Sequence, residues 1–409
     1  MASLLLNYKY LSKNQLSGFD NYKYSSIDTS PLSKYVMHPF WDQLVKVCPL
    51  WFPANLLTLI GWLLSLFMFI LLSYYDPNFS AISQNVPRWV WLVGAVCIFC
   101  SHQFDGIDGK QARRTKSGSP LGELFDHGCD SSIVSFMAIG IFSCFGVSTA
   151  TASELELFFV AVVVFYAFYF SHWEKYTTNV MYLPWAYDIS QIWLSICFFA
   201  TYLYGPELWR TVVYQDYSIT QVLKVTLYTA APCLCVPMSI YNQYVARRDR
   251  PEKCVSFFEG LMPMLSLTSV TLVYLYFGYF SHADIFYTNL RLYAITYGII
   301  YANLNCRLII AQMTNSQCDR FNILAYPLFP MIVCSQLKLV NDNKMLAVYF
   351  AFVVLGHIHY GVNVVRQLAD HLNVYVFKIG KKPVKAVNGH AYTNGHSNGI
   401  KANGKVAQD

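Results

Sequence analysis

The sequence predicts an all-α, polytopic integral membrane protein with about ten transmembrane helices. Three observations carry that prediction. The 409 residues are 55% hydrophobic and only 13% charged, whereas soluble domains carry about 25% charged residues. Apolar stretches of about 20 residues, the length that crosses a bilayer, recur along the chain. Lysines and arginines gather at the ends of those stretches, so the net charge of +6 follows membrane boundaries and is no sign of a nucleic-acid partner.

Taken in order, residues 1–33 are polar and Tyr-rich, without the apolar core of a cleavable signal peptide. They are expected to be irregular or loosely folded on the cytosolic surface. Residues 34–48, KYVMHPFWDQLVKVC, mix aromatic and charged side chains at roughly helical spacing. They read as an amphipathic helix lying in the membrane interface. Candidate spans follow at 54–74, 88–105, 122–146, 154–173, 186–205, 219–242, 261–282, 289–312, 322–340 and 344–365. Pro232 and Pro237 are expected to kink the sixth, and Pro327 and Pro330 interrupt the ninth. Residues 379–409 are rich in Gly, Asn, Lys and His; they cannot bury a core and are expected to be disordered. The 12 cysteines lie mostly inside apolar runs without metal-ligand spacing, which points to helix packing and away from a disulfide framework or a zinc site.

Orientation follows from the basic loops. Lys110, Arg113, Arg114 and Lys116 follow the second span; Arg247, Arg248, Arg250 and Lys253 follow the sixth; Lys378, Lys381, Lys382 and Lys385 lie beyond the last. Positive residues mark the cytosolic side, so the even-numbered loops and both termini are expected to be cytosolic.

One stretch is out of place in such a chain. Between two apolar segments, DGIDGKQARRTKSGSPLGELFDHGCD brings Asp105, Asp108, Asp126 and Asp130 close to hydrocarbon. A charge at the bilayer centre costs roughly 2.5–3.5 kcal/mol on insertion scales, so these carboxylates need a strong partner. Two divalent ions are the simplest one, because they balance four negative charges. Asp126 and Asp130 are one helical turn apart and share a face, with Gly122 a turn earlier; Asp105 and Asp108 are also helical neighbours. Hard metals take oxygen ligands, and magnesium sites combine carboxylates with substrate phosphates. Between the acid pairs lie Lys110, Arg113, Arg114 and Lys116, and arginine suits bidentate phosphate contacts. The inventory is two metals, a diphosphate and cations to hold it.

The pattern Asp105, Asp108-Gly109, Ala112-Arg113, Gly122, Asp126, Asp130 resembles the signature of CDP-alcohol phosphotransferases. The wider run GKQARRTKSGSPLGELFDHGCD resembles the eukaryotic choline/ethanolamine phosphotransferase branch. YVMHPFW, SHWEKY and LPWAYDIS are similar to segments of animal ethanolamine phosphotransferases. The resemblance divides the chain into a cytosolic segment with its interfacial helix (1–48), a transmembrane phosphotransferase domain (49–370) and a disordered cytosolic tail (371–409). It implies transfer of phosphoethanolamine from CDP-ethanolamine to diacylglycerol, giving phosphatidylethanolamine and CMP. Cholinephosphotransferase or dual activity is the alternative headgroup reading. It also implies Mg2+ or Mn2+, two ions, and a homodimer in the endoplasmic reticulum or Golgi membrane. Diacylglycerol is too apolar to arrive through water, so a lateral entry from the bilayer is required.

On that reading Asp105 and Asp126 bridge the metals and Asp108 and Asp130 each complete one. Arg113 meets the nucleotide phosphate; Lys110 serves the substrate or a lipid headgroup; Gly109 and Gly122 permit close backbone approach. Asn55 either contacts the nucleotide or caps a helix. The acceptor hydroxyl must lose a proton. His127 suits that task, with an ordinary pKa of about 6.5; Asp130 is the other candidate. His172, Glu174 and Asp188 either shape the donor site or lie beside interfacial anchors. For His357 and His359 interhelical hydrogen bonding is expected. A transporter or channel is a second class, since intramembrane acids also mark ion pathways; a catalytically inactive membrane scaffold is a third, against which the intact signature argues.

Overall fold

The computed structural model describes residues 8–28, 30–80, 86–148, 150–183, 186–230, 233 and 235–382. A short helix α1 (Lys13–Asp20) leads to α2 (His38–Leu44), which helical turns extend at both ends, Ser33–Met37 and Val45–Val47. There follow α3 (Ala54–Tyr75), α4 (Arg88–Arg114), α5 (Pro120–Gly140, continued by the turn Phe142–Phe145), α6 (Glu154–Thr178) and α7 (Ala186–Tyr204). Then come α8 (Ile219–Ala230), α9 (Val236–Asp249), α10 (Phe257–Tyr279), α11 (Leu290–Thr314), α12 (Leu328–Gln336) and α13 (Asp342–His371). Two small ribbons complete the order. β1 (Ser26–Asp28) runs parallel to β2 (Met181–Leu183), with Ser26 opposite Met181, and β3 (Val212–Tyr214) runs antiparallel to β4 (Tyr217–Ser218).

The protein is an all-α, multi-pass membrane protein. Among the described residues, 7 helices are long and apolar enough to span a bilayer: α3, α4, α5 with its continuation, α6, α10, α11 and α13. The other expected spans take different forms. α7 is helical over 19 residues, with Asp188 in its first turn. The sixth span is two helices, α8 and α9; Pro237 stands in the first turn of α9, where its missing N–H leaves no intrahelical bond unmade. Pro232 lies outside the described residues. The ninth is the short helix α12 behind a single turn, with Pro327 as its N-cap residue.

α11 is the central post, buried along almost its whole length. Tyr293, Tyr297 and Tyr301 project from it into the largest core cluster. Buried phenols need polar partners. Tyr274 and Tyr293 each donate to the other's backbone carbonyl, at 2.9 and 2.7 Å.

The structure corrects three sequence-based expectations. α4 runs to Arg114, beyond its expected end at 105, so Lys110 and Arg113 stand on helix. The α2–α3 connection clamps this extension: Gln111 donates to the carbonyls of Pro49 and Phe52 at 2.8 and 3.0 Å, and Arg114 donates to those of Val45 and Cys48. Residues 8–28 are folded and not loose. Ser12 caps α1 in a capping box, Phe19 is buried beside Ile310 and Met313, and β1 pairs with β2. The tail expected to be disordered from 371 is folded as far as Lys382. Asn373 and Lys382 exchange hydrogen bonds at 2.9 and 3.1 Å, and Val374 and Val376 pack against the cluster containing Leu121 and Leu124. Residues 383–409, with His390 and His396, lie outside the described residues.

The segment read as an interfacial helix has one side buried in the protein and one side exposed. Met37, Trp41 and Val45, one turn apart, are buried with Leu57 and Ile107, while Tyr35, Val36, Phe40 and Val47 are exposed.

Candidate active site

α4 and α5 are joined by the turn from Thr115 to Ser119. Ser119 caps α5 by accepting from the Gly122 N–H at 3.3 Å, and Pro120 occupies the first turn. This tight reversal sets the acids of α4 against those of α5. Carboxylate oxygens of Asp105, Asp108 and Asp126 lie within 4.8 Å of one another, and donor atoms of Asp126, His127 and Asp130 form a second group within the same limit. Asp126 belongs to both groups. Its Oδ1 is buried without a hydrogen-bond partner. Carboxylates this close repel unless a cation lies between them, and a buried unpaired carboxylate oxygen is costly. The donor set is all oxygen apart from one imidazole, which fits a hard divalent ion.

The outer contacts of these acids come from other helices. Thr58 on α3 donates to Asp108 Oδ2 at 2.5 Å, and Tyr187 on α7 donates to Asp105 Oδ2 at 2.5 Å. Such partners fix the orientation of a ligating carboxylate.

On the next stripe of α5, His127 Nδ1 lies 3.8 Å from Asp130 Oδ2 and His127 Nε2 lies 3.9 Å from Glu123 Oε1. Glu123 accepts from Lys175 Nζ and from the Tyr22 hydroxyl, each at 2.5 Å. Lys175 also stands over the rings of Tyr22 and Tyr24, at 5.6 and 4.8 Å from their centroids. Burial and the Glu123 carboxylate push the Tyr22 phenol up, so it stays a donor. The His172 ring meets His127 edge-on at 5.2 Å.

The remaining residues singled out from the sequence fall in several places. Asn55 donates from Nδ2 to the Val376 carbonyl at 2.9 Å, and its Oδ1 lies 3.4 Å from where a Cβ on Gly122 would be. Pro53 occupies the N-cap of α3, so capping is not the task of Asn55. Lys110 faces α2 and donates to Asp42 at 2.6 Å, which holds the Asp42 carboxyl below its usual range. Lys110, Arg113, Arg114 and Lys46 line a surface groove of about 460 Å³ with Asp42. Arg113 Nη1 lies 3.7 Å from where a Cβ on Gly109 would be. Asp188 accepts from His102 at 2.9 Å and from Ser33, and Glu174 accepts from Asn242 at 2.9 Å. His357 lies 3.3 Å from the Asn303 amide and His359 lies 2.8 Å from the Tyr10 hydroxyl.

Sequence reasoning missed Glu123, Lys175, Tyr22, Thr58 and Tyr187. Glu123 was within reach, because it precedes His127 by one helical turn. The others come from elements remote in the chain and carry no local signal.

All four aspartates lie within residues 51–245, which match the family described as CDP-alcohol phosphatidyltransferase. Human ethanolaminephosphotransferase 1 is 39% identical over 92% of this chain and 96% of its own length. The mouse protein of that name is 38% identical over the same shares. Choline/ethanolaminephosphotransferase 1 of Arabidopsis thaliana is 30% identical over 91% of this chain and 99% of its own. Likeness of this extent reaches well past the motif and takes in almost every helix described above. The chain belongs to the CDP-alcohol phosphatidyltransferase family and is a membrane-embedded transferase.

Proposed function

We propose that the protein transfers phosphoethanolamine from CDP-ethanolamine to the hydroxyl of diacylglycerol, releasing CMP and forming phosphatidylethanolamine. The observation that carries the reading is the sharing of Asp126 between two donor groups, one of which contains a histidine backed by a carboxylate. The headgroup assignment leans on the relatives named for ethanolamine, and the Arabidopsis relative keeps a dual choline/ethanolamine activity as the second reading.

Asp105, Asp108, Asp126 and Asp130 are the residues that would hold two ions, Mg2+ or Mn2+. Such ions, when bound, supply Lewis-acid withdrawal of charge from a diphosphate and stabilise a phosphate leaving group. The chain's own residues supply positioning and proton transfer. Carboxylates stand at both ring nitrogens of His127, Glu123 at 3.9 Å from Nε2 and Asp130 at 3.8 Å from Nδ1. With Asp130 engaged as an ion ligand, Glu123 would be the one left to favour the tautomer protonated at Nε2, which leaves the Nδ1 lone pair for the acceptor hydroxyl. The acceptor hydroxyl gives its proton to Nδ1 of His127, its oxygen bonds to the phosphorus bearing ethanolamine, and the bond to the CMP oxygen breaks. Lys175 and Tyr22 hold the Glu123 carboxylate in place beside the imidazole by donating to it. Asp130, as a metal ligand, would have a lowered proton affinity and make the poorer base. Gly122 and Asn55 flank the donor, and Gly109 permits close approach. Lys110 and Arg113, in the groove beside α2, serve the donor phosphate or a lipid headgroup at the interface. We further propose that the enzyme works as a homodimer in the endoplasmic reticulum or Golgi membrane; the basic loops support both termini being cytosolic.

The test is CMP release by purified protein in liposomes containing diacylglycerol, comparing CDP-ethanolamine with CDP-choline and adding Mg2+, Mn2+ or chelator. Metal-dependent turnover preferring CDP-ethanolamine is expected. Equal use of both donors would replace the headgroup assignment with the dual reading. No turnover by folded protein with either donor would overturn the reaction.

A further inference from the structure

The hydrogen bond from Asn55 to Val376 decides how the Asn55 amide is turned, because only its nitrogen can donate to a carbonyl. Its oxygen is left turned toward Gly122. The carbonyl that imposes this belongs to the hairpin from Asn373 to Lys382, closed through Gly380 at φ 117°. The next residue, Phe377, meets Phe125 of α5 edge-on at 5.6 Å and remains 43% exposed.

These contacts lie on one flank of the carboxylates. Successive helix residues are about 100° apart, so Phe125 and His127 stand on opposite sides of Asp126. In-line displacement places the attacking and leaving oxygens on opposite sides of the phosphorus. With the proton acceptor at His127, the leaving nucleotide lies toward Gly122, Asn55 and Phe125.

We infer that the C-terminal hairpin is the nucleotide wall of the site, and that the Val376 carbonyl, by orienting Asn55, selects the pyrimidine. An Asn55 oxygen that can only accept matches the exocyclic amino group of cytosine and opposes the carbonyl at that ring position in uracil. Phe377 offers an open aromatic face to the base. Val376 is thus a positioning residue and Phe377 a base-contacting residue of the donor site, an inference that rests on the CDP-alcohol reading above.

The experiment measures inhibition of CDP-ethanolamine turnover by CMP and by UMP, using full-length protein in diacylglycerol liposomes. Wild-type enzyme is expected to respond to CMP at roughly tenfold lower concentration than to UMP, the scale of one mismatched buried hydrogen bond. Gly380→Val, strained at its positive φ, is expected to shrink that ratio at least about threefold, because the amide is released to turn. Phe377→Ala is expected to raise both inhibition constants and the donor KM about fivefold, the scale of a lost base–aromatic contact. The KM for diacylglycerol should not move, and Phe377→Trp should restore the donor KM. A wild-type enzyme that turns over but is inhibited equally by CMP and UMP overturns the inference and leaves the reaction standing. So does Phe377→Ala with unchanged nucleotide inhibition. Absence of wild-type turnover overturns the reaction itself.

Discussion

Trp41 packs so closely on Gly106 that a Cβ there would come within 2.1 Å of the indole Cε2. The indole nitrogen also donates to Gln103, one turn earlier on α4, at 2.8 Å. The interfacial helix is therefore keyed into the helix that carries Asp105 and Asp108, and the key needs a residue without a side chain. Gly106→Ala is expected to destabilise the protein by about 1–3 kcal/mol, the usual cost of overpacking. It should also lower turnover, because α4 must shift. Thermal unfolding in detergent measures the first effect, and Trp41→Ala in the same chain should recover part of the loss in unfolding temperature. An unchanged unfolding temperature in Gly106→Ala would contradict this packing.

His127→Gln is expected to abolish turnover while leaving nucleotide binding intact, since the substitution removes the proposed proton acceptor and keeps the volume. Glu123→Gln should retain a folded site and lose turnover by about 10²-fold, within the range of general base catalysis. Single-turnover rates and CMP binding measured on the same preparations separate the two effects. Turnover of His127→Gln at the wild-type rate would move the base to Asp130.

Thr58→Ala and Tyr187→Phe remove one hydrogen bond each from Asp108 and Asp105. Loss of an outer partner typically weakens metal affinity about 10–100-fold. Both variants are expected to need more Mg2+ or Mn2+ for half-maximal turnover and to recover near wild-type rates at saturating metal. A metal titration of CMP release reads this directly. A loss of rate that no metal concentration restores would mean that these hydroxyls do something other than hold the carboxylates.

At the far end of α3 from Asn55, Arg291 donates to the Asp76 carbonyl at 2.5 Å and to Ser143 at 2.6 Å, and lies 3.6 Å from the fully buried Asp76 carboxylate. Its guanidinium also stands 4.0 Å from the centre of the Phe79 ring. Removing one partner of a buried pair costs about 3–5 kcal/mol, because the other charge is left unpaired. Arg291→Met should therefore unfold several degrees lower, and Arg291→Met with Asp76→Asn should recover much of the difference. Turnover per folded molecule should be unchanged.

The spans and the acidic motif were legible for a common reason. Span length is a property of consecutive residues, and the aspartates of each pair sit one helical turn apart, so both signals survive without any knowledge of packing. The length of α4 was not legible, because Gln111 and Arg114 find their partners in the α2–α3 connection. Lys110 looked like a neighbour of the aspartates, yet its position on the helix turns it toward Asp42. Glu123 was visible one turn before His127, but its partners Lys175 and Tyr22 lie 52 and 101 residues away.

The sequence by itself determined the membrane class, the family and the four carboxylates, because hydrophobic length and one-turn spacing are local quantities. Only the tertiary structure decided what surrounds those carboxylates. Thr58, Tyr187, Lys175, Tyr22 and the Val376 carbonyl reach the site from separate helices, an N-terminal segment and a C-terminal hairpin. Side chains brought together from so far apart leave no periodicity to read; their meeting is set by how the helices pack around α11.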